Sequence, residues 1–177
     1  MTDEPLEAVY SYVERAYIRL QAGDILIRCL EEENISPMQQ WVEGLVLAGP
    51  QSISTLREIL VEANSQKAQV MDDLYQVFNG LEGNLRGYGV SLTEHNALAV
   101  THLTNMHFLG MLKAQNIVEE EKQIACLKLL KESRELMMSM AKHIRLLEEV
   151  ETYLQDWLWG LVYQFAHYET NEARHFC

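Results

Sequence analysis

Apolar positions recur three and four apart along most of the chain, which is the spacing of helices that bury one face. Leu6, Val9, Val13, Ala16, Leu20, Gly23, Ile27 and Leu30 form one seam on a long first helix that opens near Pro5. Proline suits a first helical turn, where its missing N–H has no partner to lose. Glu31, Glu32 and Glu33 close that helix against the preference of its dipole, so a solvated end is expected. Ser36-Pro37-Met38-Gln39 then combines a capping serine, a proline at the first helical position and a glutamine that completes a capping box. A short helix over 37–48 follows, stopped by Gly49-Pro50. Thr55 with Glu58 is a second box, and Ile53, Leu56 and Leu60 mark the buried face of a helix over 52–63. Asn64-Ser65 is either a turn before another helix, 66–79, or a stretch inside one long helix.

The helical pattern breaks at Gly80, Gly83, Gly87 and Gly89. Each glycine costs about 1 kcal/mol relative to alanine in a helix, so an irregular segment is expected there. Ser91-Leu92-Thr93-Glu94 restarts a helix with a full capping box. From 91 to 115 the charged residues are Glu94 and Lys113, which predicts a central, buried helix. Asn116 with Glu119 caps the last segment. Residues 117–159 hold no Gly or Pro, and Cys126, Leu130, Met137, Met140, Ile144, Leu147, Leu154, Leu158, Leu161 and Phe165 follow a heptad-like seam. A single helix there exceeds about 60 Å, so it either folds back or reaches to a second subunit.

Composition narrows the class. With 177 residues, 48% of them apolar, and only 3 Pro and 9 Gly, the chain suits a single helical domain able to bury a core. The net charge of −12 is uneven: residues 1–50 carry nine acids against three bases, and 51–90 five against three. Such a field repels nucleic acid at long range while leaving room for a local basic patch. Cys29, Cys126 and Cys177 are far apart and odd in number, which reads as reduced thiols in a cytoplasmic protein. The N-terminus MTDEPLEAVY lacks the apolar region of a signal peptide, and no run of about 18 apolar residues predicts a membrane span.

Candidate chemistry is sparse. All six histidines follow residue 90, and His95 and His102 share a helix face. The Glu-x-x-His pairs of a di-iron bundle reduce to Glu172 with His175, so ordinary hydrogen-bonded histidines are expected rather than a metal or haem site. His102 and Asn105, among the polar residues of the presumed buried helix, are candidate contacts for a small-molecule ligand. Trp157, Trp159, Tyr153, Tyr163 and Phe165 read as core, with a dimer interface as the second reading. No nucleophile elbow, phosphate loop or Cys/His pair at useful spacing is present, so neither enzyme activity nor a cofactor is expected.

The middle of the chain resembles the winged helix-turn-helix of MarR-type transcriptional regulators. Helices over 37–48, 52–63 and 66–79 are followed by NLRGYGVSLTEHNALAVTHL, residues 84–103. Asn84-Leu85-Arg86-Gly87 stands where that family has its wing turn, and Val90-Ser91-Leu92-Thr93-Glu94 where a strand leads into a helix. The resemblance implies a mainly α fold with a small β-hairpin wing, a DNA-reading part at 36–91, and dimerisation helices at 1–35 and 92–177. It implies a homodimer on double-stranded DNA, with Ser65, Gln66, Lys67 and Gln69 opening the groove helix and Arg86 at the wing tip. The fallback is an all-α helical bundle. Its functional counterpart is an acidic protein-interaction module, an antagonist or adaptor that binds a protein partner and not DNA, motivated by the −12 charge and by Asp72 and Asp73 in the presumed groove helix.

Overall fold

The computed structural model describes residues 3–46, 51–92 and 97–175, with side chains at 12–46, 51–92 and 99–164. The described residues form helices and connecting turns, with no strand among them. The helices are α1 (Asp3–Glu32), α2 (Ser36–Val46), α3 (Ser52–Arg86), α4 (Ala97–Val100), α5 (Asn105–Ala114) and α6 (Glu120–His175). The chain divides into two compact units, Met1–Lys67 with Arg145–Cys177, and Ala68–Ile144.

The β-hairpin wing is the main correction, and the all-α bundle is what fits. Asn64-Ser65 lies inside α3, and the helix runs on through Gly80 and Gly83. Both glycines face open space. Leu74, Phe78, Leu81 and Leu85, on one face of the same stretch, are buried. Fully burying each such side chain contributes about 1.5–3 kcal/mol, which outweighs the cost of two exposed glycines. The residues assigned to the wing instead terminate the helix. Gly89 has φ +84°, the Val90 N–H donates to the Leu85 carbonyl, and the Gly89 N–H donates to the Arg86 carbonyl. This is a Schellman motif, completed by the contact expected between its two flanking apolar residues, Leu85 and Val90, both buried. Arg-Gly-Tyr-Gly-Val is therefore a helix stop. Gly89→Ala puts a Cβ on a left-handed residue and is expected to cost about 1–2 kcal/mol, read as a lower urea midpoint, whereas Gly83→Ala is expected to stabilise.

The same device ends two other helices without glycine. Glu33 (φ 56°) closes α1, where the Asn34 N–H donates to the Cys29 carbonyl. Asn116 (φ 65°) closes α5, where the Ile117 N–H donates to the Leu112 carbonyl. Asn116 thus terminates α5 from just beyond its C-cap and is not the cap of the last helix. At the start of α2, Asn34 Oδ1 accepts the Ser36 N–H at 2.9 Å, so the cap lies two residues before the expected serine. The Thr55–Glu58 box is not formed either: the Thr55 hydroxyl donates to the Gln51 carbonyl, and Glu58 pairs with Arg19. The buried Ser52 hydroxyl donates to the Leu45 carbonyl at 3.0 Å and satisfies the end of α2. The expected Gly49-Pro50 stop and the Thr93-Glu94 half of the later box lie outside the described residues, as does the shared face of His95 and His102 through His95.

In the unit 68–144 the core gathers Leu74, Phe78, Leu81, Leu85, Val90, Leu92, Val100, Phe108, Leu112, Cys126, Leu130, Met137 and Ile144. The predicted continuous helix over 91–115 is broken here into α4 and α5. Thr104 is the reason: its hydroxyl accepts the His107 N–H at 3.2 Å and caps α5, an interaction that competes with helix continuation. The Gln115 amide clamps the extended backbone at Ser91, accepting its N–H at 2.7 Å and donating to its carbonyl at 3.1 Å. Arg134 donates to the Leu103 carbonyl at 2.7 Å and ties the α4–α5 connection to α6.

In the unit formed by 1–67 and 145–177, α1 buries Ala22, Leu26 and Cys29, α2 buries Pro37, Met38 and Val42, α3 buries Leu56, Ile59 and Ala63, and α6 buries Leu147, Val150, Leu154 and Leu161. The α6 seam read from sequence is therefore largely a buried one. The α1 seam is not: Val13, Ala16, Leu20 and Ile27 are exposed, and the buried face lies on the opposite side of the helix.

Burial pushes the Cys29 and Cys126 thiols above their ordinary value of 9.0, and burial likewise raises Tyr153, whose hydroxyl donates to the Gln39 carbonyl. A group whose folded pKa is raised lends stability that is complete below its unfolded pKa and is lost as pH rises toward the folded one. Stability is thus expected to be flat through neutrality and to fall above about pH 8.5, by up to about 1.4 kcal/mol per pH unit for each thiol. Urea midpoints at pH 7, 9 and 10 check this; a flat profile across that range contradicts it.

Candidate interaction surface

The structure places all five residues assigned to DNA within α3. Ser65, Gln66, Lys67 and Gln69 sit in mid-α3, where no free helix N-terminus is available to enter a groove. The Gln66 amide reaches the Gly23 carbonyl at 3.5 Å, Lys67 pairs with Glu151 at 2.8 Å, and Gln69 donates to Asp73 at 3.1 Å. Ser65 is exposed. Arg86 lies in the last turn of α3, paired with Glu82 at 2.7 Å. The two candidate ligand contacts are also on the outside: His102 is exposed in the α4–α5 connection, and Asn105 is exposed at the first position of α5. Among the described residues no group of three or more His, Cys, Asp or Glu is placed to hold a metal ion, and no helix is long and apolar enough to cross a membrane.

An open cleft of about 660 Å³ lies between α1 and the start of α3. Its walls mix Glu14, Arg15, Tyr17, Ser54, Thr55, Arg57 and Glu58, charges of both signs with neutral hydroxyls between them. Arg19 crosses from α1 to Glu58 at 2.6 Å.

The more informative surface is apolar. On α6, Trp159 is 74% exposed and Tyr163, one turn on, is 72% exposed. They stand opposite the face that buries Leu154 and Leu161 on the same helix. On α1, Tyr17 and Leu20 are 60% and 66% exposed, flanked by Val13 and Ile27, opposite Ala22, Leu26 and Cys29. Both helices are thus apolar on two opposite sides. An amphipathic helix needs one apolar stripe to join its own core; a second one has a use only against something else. Fully burying a large apolar side chain contributes about 1.5–3 kcal/mol.

Part of this surface is legible in the sequence in other roles. Val13, Leu20 and Ile27 belong to the predicted α1 seam but point outward, and Trp159 and Tyr163 belong to the aromatic stretch read first as core. Tyr17 was missed. Its signal is its place one turn after Val13 and three residues before Leu20, a second seam opposite the one through Ala22, Leu26 and Cys29. Comparison with known proteins adds no relative: no family model, curated protein or solved structure matches the chain.

Proposed function

We propose that this chain is an all-helical protein-interaction module of the antagonist or adaptor kind, and that it engages a protein partner through the outer face of α6. The observation that carries this reading is the exposed pair Trp159 and Tyr163, back to back with a buried face of the same helix. Aromatic residues are the side chains most enriched at the centre of protein interfaces. The net charge of −12 supports a protein partner over a nucleic acid. The acids that lie among the DNA-assigned residues act the same way: Asp73 holds Gln69, Glu82 holds Arg86 and Glu151 holds Lys67.

The test is affinity capture with the purified full chain in nuclease-treated lysate, alongside the Trp159→Ser/Tyr163→Ser variant. A stoichiometric protein that the wild type retains and the variant loses is expected. A mobility-shift titration on duplex DNA runs beside it. Salt-sensitive binding to duplex that Arg86→Ala weakens would replace this reading with the DNA-reading one.

A further inference from the structure

The outer stripe of α1 is built differently from the outer face of α6, and its pattern specifies its occupant. Val13, Tyr17, Leu20, Asp24 and Ile27 follow one another at steps of four, three, four and three, the spacing of a two-helix seam. All but the Asp24 position are large apolar side chains, and all five are exposed. Beside this stripe runs a flank of Glu14, Gln21 and Arg28, seven residues apart. Neither Glu14 nor Arg28 makes an ion pair among the described residues.

We propose that this stripe packs against the same stripe of a second copy of the chain, with the two α1 helices antiparallel about a two-fold axis near Gln21. The flank is self-complementary in that arrangement and in no parallel one. Turning the helix about Gln21 sets each Glu14 beside Arg28 of the second copy, and Gln21 beside its own counterpart. A C2 contact requires this kind of match, in which residue i meets j and j meets i. Asp24 decides the direction. In a parallel, in-register pair the two Asp24 carboxylates share one layer of the seam and repel. Antiparallel pairing about Gln21 moves them about 9 Å apart along the axis, nearly two helical turns.

The inference rests on the reading of the chain as an interaction module, and the two fail separately. Trp159→Ser is expected to keep the dimer while losing the partner.

Sedimentation velocity on the full chain tests it, from about 1 to 200 µM, a range that brackets micromolar dissociation constants. A reversible monomer–dimer equilibrium is expected for the wild type. Leu20→Glu, at an exposed position, is expected to be monomeric with an unchanged helical circular-dichroism spectrum. Glu14→Arg and Arg28→Glu are each expected to weaken the dimer roughly tenfold, because each removes two symmetry-related pairs. The double reversal Glu14→Arg/Arg28→Glu is expected to restore it. A wild type that stays monomeric throughout, or a dimer indifferent to Leu20→Glu, overturns the proposal. A double reversal no tighter than the single variants overturns the antiparallel alignment.

Discussion

Phe108→Ala is expected to lose about 4 kcal/mol, within the 3–5 kcal/mol range for deleting a buried aromatic ring. Phe108 is fully buried and belongs to the cluster that α5 shares with Leu81, Leu85, Leu130 and Met137. Removing the ring takes away its transfer free energy and leaves a cavity that helices pinned by their caps do not close. α5 is ten residues long, too short to persist without that packing. The urea midpoint is therefore expected to fall sharply, with faster amide exchange along 105–114. Met106→Ala is the control: the side chain two residues earlier is 83% exposed, and its removal is expected to stay within about 0.5 kcal/mol. Equal effects at the two positions would mean that α5 presents the other face.

Lys67→Met is expected to cost about 3 kcal/mol for a different reason. Lys67 Nζ donates to Glu151 Oε2 at 2.8 Å, linking α3 to α6 within their unit, and both side chains are largely shielded from water. The other carboxylate oxygen, Oε1, is buried and has no hydrogen-bond partner among the described residues. Without the lysine the half-buried carboxylate loses its partner, and removing one side of a shielded pair costs more than the pair contributes. Replacing both partners removes the penalty, so Lys67→Met/Glu151→Leu is expected to regain most of the loss. A double variant as unstable as the single one contradicts this role for Lys67. The same lysine was assigned to DNA by resemblance, and its engagement with Glu151 explains why a polar residue sits at that point of α3.

How much was legible in the sequence differs from element to element. The α6 seam is buried at Cys126, Leu130, Met137, Ile144, Leu147, Leu154 and Leu161 because it is a long run without glycine or proline, where periodicity and propensity agree. The stretch 80–92 misled because glycine has two uses. Gly80 and Gly83 are tolerated inside a helix held by Leu74, Phe78, Leu81 and Leu85, while Gly89 supplies the left-handed residue that ends it. Spacing alone does not separate a wing turn from a Schellman stop. The α1 seam misled because that helix has two apolar faces, and a single sequence does not say which one the chain itself covers. The Thr104 hydroxyl caps α5 and so splits the expected buried helix. His102 and Asn105 were placed in a buried helix for the same reason, and both are exposed.

The proposed partner surface is the outer face of α6, and a photo-reactive phenylalanine at position 159 interrogates it most directly. Irradiated in nuclease-treated lysate, the full chain is expected to give one dominant adduct with a different protein, and the same probe at Asn64, an exposed polar position on α3, is expected to give little of it. Equal adducts from both positions, or an adduct to a second copy of the chain alone, would contradict the assignment of this face to a protein partner.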